Sequence, residues 1–124
     1  MRQIVAIAAG GALGSVLRYW MSNWVHVFAG RGFPYGTLAV NVLGCLIMGL
    51  LFVMFLERFA ESAVWRAGVL IGVLGGFTTF SSFSIETFNL IEQGEPFRAL
   101  MNVMLSVVLC LGATWVGVVA GRQL

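Results

Sequence analysis

The sequence predicts an all-α integral membrane domain of four transmembrane helices, and three observations carry that reading. Of 124 residues, 60% are hydrophobic and 10% charged, against about 25% charged in a soluble domain. The mean hydropathy is +0.96. The apolar residues gather into four stretches, roughly 3–29, 35–56, 66–91 and 98–121, each meeting the length of about 20 residues that a spanning helix needs. These stretches occupy nearly all of the sequence, so a single domain over 1–124 is expected, with no room within it for a soluble catalytic domain.

The first span carries Ala6, Gly10, Gly14 and Arg18 at four-residue intervals, on one helix face. Small residues at that spacing let helices approach closely. Arg18 is a charge inside a span, which is costly and usually faces a partner or an aqueous cavity, so a vestibule position competes with snorkelling to the interface. Trp20 and Trp24 follow as an aromatic belt. The embedded Arg18 and the lack of a small-residue cleavage site argue against a cleaved signal peptide. His26 reads as an interfacial polar residue. The segment Arg31-Gly32-Phe33-Pro34-Tyr35-Gly36 is a loop, punctuated by Pro34 and Gly36.

The second span places Asn41 just beyond its first turn, with Gly44 and Gly49 as packing positions. An Asn here bonds a neighbouring helix, or offers its amide donors to an anion. Glu57, Arg58, Glu61 and Arg66 read as a solvated loop. The third span presents Gly68, Gly72 and Gly76 at four-residue spacing, and then Gly75-Gly76-Phe77-Thr78-Thr79-Phe80-Ser81-Ser82-Phe83-Ser84. Adjacent glycines followed by hydroxyls predict a third helix broken near its middle, at Gly75-Gly76. Irregular backbone survives at membrane depth only when buried in protein or lining a polar cavity. Beyond the break, Phe80 and Phe83 are neighbours on one face, and Thr79, Ser82 and Glu86 form a polar one. Glu86 is the deepest acid, either functional or bonded to the Thr/Ser cluster. Gly94 ends this helix and Pro96 opens the fourth, where Asn102, Ser106 and Cys110 form a thin polar stripe and Gly117 and Gly121 are packing positions.

The chain holds no Ser/His/Asp or Cys/His arrangement, no metal-ligand cluster and no phosphate loop, so it is not read as an enzyme. Its formal charge of +2 and lack of a basic run exclude nucleic acid as a partner. Cys45 and Cys110 read as small buried residues. What remains is binding or conduction. Asn41, Phe80, Phe83, Ser106 and the hydroxyls of Thr79, Ser81, Ser82 and Ser84 are rich in donors and poor in fixed charge. Such a set replaces the water of a small anion without holding it too tightly, and phenylalanine ring edges carry the positive part of the quadrupole. The spacing of the two rings is equally that of ordinary helix packing. Unwound carbonyls near Gly75 and Thr78 suit a cation such as Na+.

Arginines are nearly balanced between the two sides. Arg2, Arg58, Arg66 and Arg122 lie on one, and Arg31 and Arg98 on the other, with Arg18 leaning toward the second. That weak bias is compatible with insertion in both orientations, and oppositely inserted copies would assemble about an axis in the membrane plane.

Three segments together resemble the small dual-topology fluoride channels, the Fluc or CrcB family. They are Gly10-Gly11-x-x-Gly14-x-x-x-Arg18-Tyr19, Pro34-x-Gly36-Thr37-Leu38-x-x-Asn41-x-x-Gly44 and the third-span run through Glu86. The resemblance covers all four spans. It implies an antiparallel homodimer in the lipid of a bacterial plasma or inner membrane, with two fluoride pores and a central sodium ion, exporting fluoride passively. It implies that Phe80, Phe83 and Asn41 line the pore, that Ser106 faces it, and that Thr79, Ser81, Ser82 and Glu86 form a polar region beside it. Arg18 would stand near a vestibule, and the Gly75 and Thr78 carbonyls would hold sodium. Cys110 departs from the hydroxyl residue found in some relatives, and Ser82 from the common threonine. The competing reading is a small proton-coupled antiporter that uses Glu86 as the exchanging carboxylate; a third is a structural membrane subunit.

Overall fold

The computed structural model describes residues 1–58 and 63–124, and these are mostly helical, with no strand among them. Helix α1 is Arg2–Ala29 and α2 is Tyr35–Val53, prolonged by a π-wound turn at Met54–Arg58. Helix α3 comprises Ala63–Arg66, a π-wound stretch Ala67–Leu74, and Gly75–Phe77. Helix α4 is Phe80–Glu92 and α5 is Pro96–Gln123. Four segments are long and apolar enough to cross a bilayer: Arg2–Ala29, Tyr35–Leu56, Ala63–Glu92 and Pro96–Gln123. They agree with the four predicted stretches to within a few residues at each end. Of the predicted second loop, Glu61 lies outside the described residues.

Glycine-to-glycine contact holds α1 against α3. A Cβ on Gly10 would strike the Gly68 carbonyl, one on Gly14 the Val73 carbonyl, and one on Gly76 the Gly11 carbonyl. The two four-residue rows, Ala6/Gly10/Gly14 and Gly68/Gly72/Gly76, therefore face each other, as small-residue seams do in lipid, where backbone approach replaces hydrophobic burial. Helices α2 and α5 meet the same way and run parallel. Gly49 sits on Thr114, Gly117 on Leu46 and Leu50, and Gly121 on Leu50 and Val53.

The loops follow their punctuation. Pro34 caps α2. At the end of α4, Gly94 has φ 78°, its N–H donates to the Ile91 carbonyl at 3.1 Å, and the Glu95 N–H donates to the Leu90 carbonyl at 2.9 Å. That is a Schellman ending, which glycine alone closes without strain. Pro96 then opens α5, where its missing N–H costs nothing. His26 is more than an interfacial residue: its Nε2 accepts the Gly36 N–H at 3.1 Å, tying the end of α1 to the first turn of α2.

One expectation is corrected. Gly75 and Gly76, where the break is expected, are helical, Gly75 with φ −63° and ψ −38°. The extended angles fall at Thr78 (φ −87°, ψ 157°) and Thr79 (φ −152°, ψ 121°). Helix tolerates glycine when neighbours pack on it; what determines the position is the partner that receives the freed backbone groups.

Candidate functional site

That partner is Asn41 of α2. Its Oδ1 accepts the Thr79 N–H at 2.8 Å, and its Nδ2 donates to the Thr79 carbonyl at 3.0 Å. A single carboxamide thus satisfies both backbone groups of an extended residue that helix would otherwise pair, as membrane depth requires. Thr79 in turn caps α4: its Oγ1 accepts the Ser82 N–H at 3.2 Å, the usual role of a hydroxyl at an N-cap. Thr78 closes the other end, its Oγ1 donating to the Leu74 carbonyl at 3.0 Å. Arg18 of α1 completes the set, with Nε donating to the Gly76 carbonyl at 3.1 Å. A guanidinium at the carbonyl end of a helix is electrostatically favourable, which answers why the charge sits at this depth.

Two cavities flank this knot. The first, about 330 Å³, is lined by Asn41, Thr78, Thr79, Phe80, Phe83 and Ser106, with Cys45 and Cys110 further along. The Phe80 and Phe83 ring centroids are 5.3 Å apart, with the planes tilted by 47°. Phe83 is half-buried, whereas Phe80 is 78% exposed on the single chain. The second cavity, about 360 Å³, is polar, and is lined by Arg18, Ser15, Ser22, Thr37, Ser82 and Glu86, with Thr79 in its wall as well. Glu86 also borders a third cavity beside His26 and Arg31. Its Oε1 is buried and has no hydrogen-bond partner among the described residues.

The candidate residues therefore divide. Asn41, Phe80, Phe83 and Ser106 share the first cavity; Arg18, Ser82 and Glu86 share the second; Thr79 borders both. Ser81 lines neither: it is exposed, and its hydroxyl lies 3.3 Å from the Thr79 hydroxyl. Ser84 is exposed and lines none of the three. Of the polar stripe on α5, Asn102 leaves the other two. It is buried and donates from Nδ2 to Thr87 Oγ1 at 2.8 Å, and Thr87 donates to the Phe83 carbonyl at 2.8 Å. That chain of bonds docks α4 on α5 behind Phe83.

Sequence reasoning missed Ser15, Ser22, Asn23 and Thr37. The signal was present: Ser15, Arg18, Tyr19 and Ser22 recur at i, i+3, i+4 and i+7, the spacing of one helix face, and all four line the second cavity.

Comparison with known proteins identifies the family. The family model described as CrcB-like protein, Camphor Resistance (CrcB), matches residues 5–118. A protein of Coxiella burnetii (strain Dugway 5J108-111) named fluoride-specific ion channel FluC is 53% identical over 122 residues, covering 98% of each chain. One of the same name from Geobacter sulfurreducens is 53% identical over 124 residues, the whole of both. A third so named, from Methylococcus capsulatus, is 54% identical over 121 residues, and the chain spans 53% of its length. With four helices fit to cross a bilayer and a family match over most of its length, this multi-pass membrane protein belongs to the CrcB family.

Proposed function

We propose that the chain is a fluoride-selective channel that lets fluoride leave the cell passively, down its electrochemical gradient. The observation that carries the reading is the first cavity. Neutral donors from Asn41, Thr79 and Ser106 and the rings of Phe80 and Phe83 converge there without a fixed charge. That is the lining a small anion needs to shed water and still depart, and relatives similar along their full length carry the name fluoride-specific ion channel. Asn41 keeps one amide hydrogen beyond its bond to Thr79 for this purpose. The polar second cavity, which Arg18 lines, serves as the aqueous vestibule. Ser81, Ser82 and Glu86 form the polar region beside the path. The antiporter reading, with Glu86 as the exchanging carboxylate, finds no support in the relatives, which are named as channels.

The working unit in this proposal is an antiparallel homodimer of dual topology in a bacterial plasma membrane, with the interrupted third span at its centre. Phe80, largely exposed on the single chain, would be covered by the second copy. A sodium ion at the crossing fits the donor chemistry. The i+4 donors of the Gly75 and Thr78 carbonyls are both used elsewhere, since the Thr79 N–H goes to Asn41 and the Ser82 N–H to Thr79 Oγ1. Those two carbonyls from each chain would supply hard oxygen ligands to a cation. Gly75 is exposed and has no heavy atom closer than 3.8 Å to a Cβ position, which leaves room for a partner backbone.

The test is efflux from liposomes loaded with potassium fluoride, read by a fluoride electrode after valinomycin is added, with chloride-loaded vesicles as control. Rapid fluoride release with chloride retained is the expected result. No release from a well-folded dimer overturns the reading.

A further inference from the structure

Beyond the polar end of the first cavity stand two thiols that the anion path does not use. Helices α2 and α5 run parallel in a constant register, which sets Asn41 level with Ser106, Cys45 with Cys110, and Gly49 on Thr114. The Gly49–Thr114 contact brings the backbones together one turn past the cysteines. The Cys45 and Cys110 side chains accordingly line one cavity from the two adjoining helices, and both are partly accessible. No cluster of three or more His, Cys, Asp or Glu side chains exists among the described residues. This leaves a pair of sulfur ligands, with no third ligand of those types, in the wall of a mainly apolar cavity. Two sulfurs alone do not satisfy zinc, which takes four ligands in structural sites. They do satisfy the soft d10 ions Cu(I), Ag(I) and Hg(II), which accept two thiolates in a line and prefer sulfur to oxygen.

We propose that Cys45 and Cys110 form a two-coordinate site for a soft, thiophilic metal ion, and that its occupation blocks the path past Phe80 and Phe83. With Hg(II) as the probe, two S–H bonds break, two S–Hg bonds form, and two protons leave to solvent. No electron is transferred and no co-reactant is needed. The bridged ion stands at the cavity wall one turn beyond Asn41 and Ser106 and narrows the path there. Being soft, it does not offer hard fluoride a replacement site. The blocking half of the proposal rests on the channel reading above; the metal site does not.

The experiment has two arms on the purified protein. In detergent, Hg(II) is titrated and followed by the thiolate-to-metal charge-transfer absorbance. Saturation at one ion per chain is expected. Cys45→Ala and Cys110→Ser should each weaken binding by more than the roughly 10- to 100-fold that loss of an outer partner costs a metal site. In fluoride-loaded liposomes, Hg(II) should arrest efflux from the unaltered protein, and excess dithiothreitol should restore it. Each variant, measured against its own metal-free rate, should require at least tenfold more metal for the same block. Size-exclusion profiles identify any variant that misfolds, and having one change on each helix keeps the test open if one fails. Saturation at two ions per chain, with each thiol binding alone, overturns the site. Block undiminished in both variants, or no block at full occupancy, overturns the gating role. Absence of flux before metal is added, with one ion per chain still bound, indicts the channel reading and leaves the site standing.

Discussion

Asn41 does for Thr79 what a neighbouring strand does for a β residue, exchanging a donor and an acceptor with one backbone unit. Two consequences follow for substitutions. Asn41→Ala leaves both backbone groups of Thr79 unpaired at membrane depth. At about 1–3 kcal/mol per unsatisfied buried group, the variant should unfold several degrees below the parent in a thermal melt in detergent. Asn41→Asp retains an acceptor for the Thr79 N–H, so the fold should largely persist. It loses the donor and adds negative charge, so fluoride flux should fall; undiminished flux would remove Asn41 from the path. The phenylalanines separate the same two effects differently. Phe80 is mostly exposed on its own chain, so Phe80→Ile should cost little in folding. Loss of the ring edge should lower fluoride flux, by about tenfold for each 1.4 kcal/mol of contact removed. Phe83→Ile should behave alike, and unchanged flux in both would exclude the rings.

At the scale of elements, the glycines are not equivalent. Gly10 meets the Gly68 carbonyl, so Gly10→Val drives a side chain into backbone that cannot yield. Overpacking costs about 1–3 kcal/mol even where side chains can shift, and here α1 must separate from α3, so folded yield and melting temperature should both drop. Gly75 is helical and open. Gly75→Ala should therefore leave the single chain's fold intact, with any effect confined to assembly, which size-exclusion chromatography reads directly. Monomers that unfold more readily than the parent would place Gly75 in an intrachain contact instead. This separates a glycine in a seam within one chain, Gly10 of α1, from a glycine on a surface offered to another, Gly75 of α3.

For the whole molecule, the sodium proposal is a statement about linkage. An ion that binds only the assembled dimer stabilises it by RT ln(1 + [L]/Kd). Replacing sodium by a large organic cation at constant ionic strength should lower the dimer's melting temperature, and restoring sodium should raise it again in proportion to the logarithm of its concentration. A melting temperature indifferent to sodium would remove the ion. Gly75→Ala should blunt the dependence if the crossing lies where the released carbonyls are.

Composition and hydropathy by themselves determined the number of spans and nearly their ends, because twenty apolar residues have few other stable arrangements. Four-residue glycine spacing determined which helix faces pack. Gly94 and Pro96 determined how α4 ends and α5 begins, because positive φ and a missing N–H act locally. Tertiary structure decided the rest. The extended residues are Thr78 and Thr79 rather than the glycines, because the end of a helix in a membrane is set by who receives its freed N–H and C=O groups, and that partner, Asn41, lies 38 positions away in sequence. The division of the polar residues into two cavities was hidden for a related reason. Ser15, Ser22 and Thr37 acquire a common wall with Ser82 and Glu86 only when three spans are brought together. Cys45 and Cys110, two isolated small residues on paper, come to line one cavity because Gly49 lets α2 and α5 touch. Local chemistry is written in order along the chain; which groups face one another depends on helix register, and register is settled only by packing.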